Sequence, residues 1–85
     1  MIEIEYVITD ELGIHARPAG RLVKEASGFQ SAVKIGTPQK MVDAKRIMGV
    51  MGLALKHGDT LTMTFDGPDE QDAANALTDF LEENM

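Results

Sequence analysis

The sequence predicts an α+β fold in which helices cover one face of a mainly antiparallel sheet, in the order β-α-β-β-α-β-α. Three observations predict it. Residues 2–8, 33–35 and 61–65 alternate apolar and polar side chains with the two-residue period of half-buried strands. Longer stretches beginning at Ala16 and after Asp69 carry apolar residues at the 3.6-residue period of helices. No linker, internal repeat or low-complexity tract separates these segments, so residues 1–85 read as one domain.

Each element has a local reason. In the first strand Ile2, Ile4, Tyr6 and Ile8 share a face, and Asp10-Glu11-Leu12-Gly13 breaks the pattern. From Ala16 to about Ser27, Ala19, Leu22, Val23 and Ala26 form one apolar stripe, which Ser27-Gly28 closes. Pro18 fits that helix only within its first turn, where a missing N–H costs nothing, so the helix starts at His15 or Ala16. Val33 and Ile35 mark a second strand, Gly36-Thr37-Pro38-Gln39 a turn, and Met41-Val42 the start of a third strand. Ile47-Met48-Gly49-Val50-Met51-Gly52-Leu53 is apolar, but two glycines restrict it to one or two helical turns. After a turn at Lys56-His57-Gly58-Asp59, Leu61, Met63 and Phe65 alternate with Thr62 and Thr64 in the fourth strand. Asp66-Gly67-Pro68-Asp69 ends it and caps a last helix whose stripe is Ala73, Ala76, Leu77, Phe80 and Leu81; Asp69, Glu70 and Asp72 suit its positive end.

Composition excludes several function classes. With no cysteine there are no disulfides or thiolate metal sites, and no metal or other cofactor is expected. Met1-Ile2-Glu3-Ile4-Glu5 resembles neither a signal peptide nor a membrane span, which points to a cytoplasmic protein without membrane insertion. The net charge of −6 is unevenly distributed: residues 17–46 carry seven basic side chains against two acidic ones, and elsewhere Lys56 stands alone against twelve carboxylates. So acidic a chain repels nucleic acid, and the basic segment suits phosphoryl groups or an acidic protein partner. The plainer reading is scattered solvating charge.

Gly13-Ile14-His15-Ala16-Arg17-Pro18-Ala19 sets a histidine at the start of a helix. Taken by itself, such a histidine is more often a solvated loop residue or a cap. Its neighbours argue for phosphate chemistry, because helix-start amides attract anions, imidazole is a nucleophile, and Arg17 can hold phosphoryl oxygens bidentately. Ala16 and Arg17 are therefore the expected phosphate-binding positions. Ile47, Met48 and Met51 read either as core or as an adaptable surface for partners. His57 has no partner at metal-ligand spacing and reads as a solvated turn residue.

That motif, followed some thirty residues on by Lys45-Arg46-Ile47-Met48-Gly49-Val50-Met51, closely resembles the HPr phosphocarrier family of the bacterial phosphoenolpyruvate-dependent sugar phosphotransferase system. The resemblance runs essentially end to end. It implies an open-faced β-sandwich of four antiparallel strands with three helices on one face. It also implies that His15 accepts a phosphoryl group at Nδ1 from enzyme I and passes it to a sugar-specific enzyme IIA, as a carrier rather than a conventional turnover enzyme. The partners would dock on the helix after His15 and on the short apolar helix, which makes Arg21, Lys24, Lys45, Arg46, Ile47, Met48 and Met51 the expected docking residues. A monomer suits a carrier that presents one small site to successive partners.

Three positions depart from the family pattern. Arg46 stands where the Gram-positive branch has a serine that a dedicated kinase phosphorylates, so that switch is expected to be absent. Leu12 replaces a common small hydroxylic residue, and Gly20 is a lesser departure. Two other readings compete: a regulatory binding module that docks to metabolic or transcriptional partners, and a ferredoxin-like ligand-sensing domain. The intact His15-Arg17 pair favours the carrier over the first, and the short apolar helix and extra C-terminal helix argue against the second.

Overall fold

The computed structural model describes residues 1–85 and runs β1 (Ile2–Val7), α1 (Ala16–Ser27), β2 (Ala32–Thr37), β3 (Lys40–Asp43), α2 (Ile47–Met51), β4 (Thr60–Asp66), α3 (Glu70–Asn84). The strands form one sheet in the order β1-β4-β2-β3, every neighbouring pair antiparallel. Ile2 pairs with Phe65 and Val7 with Thr60, while Val33 pairs with Phe65 on the other side of β4. β4 is therefore an inner strand. Its apolar residues Leu61, Met63 and Phe65 are completely buried beneath the helices.

The helices close over those side chains. Ala19, Leu22 and Ala26 of α1, Val50 of α2 and Ala73, Ala74, Leu77 and Leu81 of α3 share one hydrophobic core with the sheet. Fully burying a Leu, Ile or Phe side chain contributes about 1.5–3 kcal/mol, so these three stripes hold the layers together. On α3 the buried stripe takes in Ala74, and Phe80 of the expected set is only half-buried. No helix is long and apolar enough to cross a membrane.

Several local expectations change in detail. β2 continues through Gly36 and Thr37, with Thr37 paired to Lys40, which reduces the expected four-residue turn to Pro38-Gln39. Thr62, expected on a solvated side, is only 6% exposed because it lies on an inner strand between Glu5 and Gly36. Gly28 ends α1 in ordinary right-handed conformation, φ −75°, with its N–H donating to the Glu25 carbonyl. Ala54, just past α2, adopts the left-handed φ of 54°.

The N-terminus of α3 differs most. Asp69 occupies the N-cap position but makes no side-chain cap bond there. Its carboxylate instead accepts the Gln30 and Ser31 N–H groups, both at 2.8 Å, and the Ser31 hydroxyl at 2.5 Å. That clamp ties the turn after α1 to the start of α3. The Ser31 hydroxyl, then the Gln30 amide, hold the Asp69 carboxyl below the usual carboxylate value. Glu70, the first residue of α3, reaches back to accept the Gly67 N–H of the preceding turn at 3.1 Å and pairs with the Met1 amine at 3.1 Å. Those two contacts, the amide first, lower its carboxyl too.

Candidate functional site

The chain leaving β1 is fastened from both sides. The Thr9 and Asp10 N–H groups both donate to the Met85 backbone oxygen, at 2.7 and 2.8 Å. The Asp10 carbonyl accepts the Gly13 N–H at 2.9 Å, and its carboxylate Oδ1 accepts the Leu12 N–H at 2.8 Å. Gly13 then takes a left-handed φ of 66°, where a Cβ would run into the Leu55 carbonyl. That same carbonyl accepts the Ile14 N–H at 3.0 Å, and the Ile14 side chain is buried. The residue before His15 is thus locked into the core.

His15 is the N-cap of α1, in extended conformation, and its ring makes no capping bond. Its carbonyl accepts the Ala19 N–H at 3.0 Å, and Pro18, buried in the first turn, has no N–H. The first-turn amides without a partner are therefore those of Ala16 and Arg17. The half-exposed ring shares a depression of about 120 Å³ with Asp10, Arg17, Pro18, Arg21 and Asn84. Nε2 faces Asp10 Oδ2 across 3.6 Å, an ion-pair distance too long for a hydrogen bond. Arg17 and Arg21, four residues apart on α1, bring two cations to the same rim.

The expected docking residues occupy varied environments. Ile47, Met48 and Met51 are 42, 81 and 36% exposed while Val50 beneath them is buried, so most of the α2 apolar set faces outward. Arg46 is exposed and lies 3.7 Å from Asp43. The Lys45 ammonium donates to the Phe29 carbonyl at 2.8 Å, a contact that holds the end of α1. Lys24 lines a separate groove with Arg21, Glu25, Gly28, Phe29 and Phe80.

Sequence reasoning missed Asp10 and Asn84. In the sequence Asp10 reads only as a strand breaker, and nothing local says that a residue at position 84 returns to the His15 loop. The available signal was the Asx pattern of Asp10 two residues before Leu12, which implies a carboxylate held against the loop backbone.

Comparison with known proteins gives this geometry a family. The model of the PTS HPr component phosphorylation site matches residues 2–83. The phosphocarrier protein HPr of Lysinibacillus sphaericus is 47% identical over 79 residues, covering 93% of this chain and 90% of that protein. That of Cupriavidus necator is also 47% identical, over 77 residues, 91% of this chain and 86% of the relative. The crystal structure of HPr-C-His from Thermoanaerobacter tengcongensis superposes with a TM-score of 0.92 at 38% identity, covering 98% of this chain and 93% of that one. With the same open, four-stranded antiparallel sheet and three helices, the chain belongs to the HPr phosphocarrier family of the phosphotransferase system.

Proposed function

We propose that His15 accepts a phosphoryl group at Nδ1 from phosphorylated enzyme I and delivers it to a sugar-specific enzyme IIA. The observation that carries this reading is a half-exposed imidazole, free of any capping bond, beside two unpartnered helix amides and two arginines. In the accepting step the Nδ1 lone pair attacks phosphorus, the P–N bond forms, and the bond to enzyme I breaks with its electron pair returning to the donor. Delivery is the same displacement in reverse. Arg17 and Arg21 offset the phosphoryl charge, and the Ala16 and Arg17 N–H groups donate to its oxygens. A phosphorus–nitrogen bond to imidazole suits transit because it is more labile than a serine ester.

Docking falls to Arg21, Lys24, Lys45, Arg46 and the outward apolar residues Ile47, Met48 and Met51. Arg46 offers no hydroxyl for a kinase, and its positive charge favours an acidic enzyme I at all times. The protein works as a cytoplasmic monomer in this reading. The deciding experiment incubates it with phosphoenolpyruvate and enzyme I and scores acid-labile, alkali-stable phosphate. Wild type should be labelled and His15→Ala should not; a wild type never labelled by competent enzyme I sinks the carrier reading. The exposed Met48 patch supports a second reading, a docking module for regulatory partners, which requires binding that survives His15→Ala.

A further inference from the structure

We infer that Asp10 is a positioning residue for phosphoryl departure, its carboxylate holding a proton on Nε2 of the phosphorylated His15 ring. This rests on the carrier reading. Asp10 is unusually well placed for a loop carboxylate, because three contacts fix it: its N–H to the Met85 oxygen, its carbonyl to the Gly13 N–H and its Oδ1 to the Leu12 N–H. Only Oδ2 is turned to the ring, 3.6 Å from Nε2. The two nitrogens of His15 are thereby made unequal. A proton sits better on the nitrogen facing the carboxylate, which leaves the Nδ1 lone pair for phosphorus.

The consequence is larger once Nδ1 carries phosphate. When the P–N bond breaks, its electron pair returns to Nδ1 and the phosphoryl group joins the incoming nucleophile. With Nε2 protonated, the ring leaves as neutral imidazole. Without that proton it must leave as imidazolate, a far poorer leaving group. Arg17 and Arg21 on the same rim oppose a ring cation, and Asp10 is the carboxylate of the depression that counters them. Leu12, an exposed aliphatic residue, supplies only its backbone N–H, to the Asp10 carboxylate.

The test is the pH profile of phosphoryl loss. Wild type, Asp10→Asn and the control Asp66→Asn are loaded with phosphoenolpyruvate and enzyme I, freed of the donor, and followed by ³¹P NMR across pH 5–9. Asp10→Asn retains an acceptor for the Leu12 N–H, and Asp66 lies at the far end of the sheet, beyond the Ile2–Phe65 pair. The expected result is a profile displaced to lower pH in Asp10→Asn, with loss about two- to fivefold slower near neutrality, the range for a partly exposed charge pair. Asp66→Asn should match wild type. Should Asp10→Asn fail to fold, Asp10→Ser takes its place with the same expected displacement, since its hydroxyl also offers the Leu12 N–H an acceptor. Superimposable wild-type and Asp10→Asn profiles overturn the inference, as does an equal displacement in Asp66→Asn or a folded Asp10→Asn protein that cannot be loaded at all. A wild type that is never loaded overturns the carrier reading and this inference with it.

Discussion

Replacing Gly13 by alanine tests how the His15 loop is held, and replacing Gly20 in the same way provides its internal control. At Gly13 the new Cβ would have to occupy a left-handed conformation, φ 66°, and would overlap the Leu55 carbonyl, with the Lys56 Cα at 2.7 Å. The conformation alone costs an alanine roughly 1–2 kcal/mol. Relieving the overlap pushes the loop from Leu55, whose carbonyl accepts the Ile14 N–H, and losing that bond costs about 1 kcal/mol more. With residual strain the total is about 2–4 kcal/mol, which in a domain of this size lowers the melting temperature by about 10–25 °C. At Gly20 the nearest atom to a new Cβ is Ile47 Cδ1 at 3.7 Å, ordinary contact between α1 and α2. There alanine removes backbone freedom from the unfolded chain and should stabilise by about 0.5–1 kcal/mol. Thermal and urea unfolding by circular dichroism measure both. The two variants add the same methyl group and should shift in opposite directions. A Gly13→Ala protein melting within about 3 °C of wild type would refute the claim that close approach to Leu55 positions the loop.

Other outcomes are expected from the same structure. Arg17→Ala should slow phosphoryl transfer through His15 by about 10- to 100-fold, the worth of a charge-assisted contact of about 1.5–3 kcal/mol, in a rapid-quench assay with enzyme I; unchanged transfer would remove Arg17 from the site. Arg46→Ser should weaken enzyme I binding by a few-fold and increase its salt tolerance, as measured by calorimetry; tighter binding, or stoichiometric phosphorylation of the wild type by an HPr kinase with ATP, would contradict the proposed constitutive docking. Asp69 predicts an acid dependence. Because its native carboxyl is held low, its contribution is complete above the unfolded carboxyl range near about 4 and is lost as pH falls through the native value. Urea unfolding from pH 6 down to 2 should therefore be less steep in Asp69→Asn than in wild type; parallel curves would show that the clamp to Ser31 contributes nothing to acid stability.

Most of the fold was legible because strand and helix periods are local properties of burial. Ala19, Leu22 and Ala26 report a helix face whatever they pack against, and Ile2, Ile4 and Tyr6 a strand face. Phe80 and Thr62 misled because an element's face is cut by its neighbours: Phe80 lies at the rim of α3, and Thr62 is shielded by strands on both sides. Ala54 left no trace at all, since an alanine has no local reason to adopt a positive φ.

The site divides in the same way. By itself the sequence determined the helix after His15 through its apolar stripe, its start through Pro18, and the arginine two residues from the histidine, because helical period and short-range sterics are local. Tertiary structure alone decided that β4 lies inside the sheet and that Asp69 reaches Ser31 rather than its own helix. It also decided that Lys45 holds the end of α1, and that Asp10 and Asn84 converge on the imidazole. Each of these joins chain segments through the path of the backbone in space. A charged side chain's sequence neighbours limit its reach but do not choose its partner.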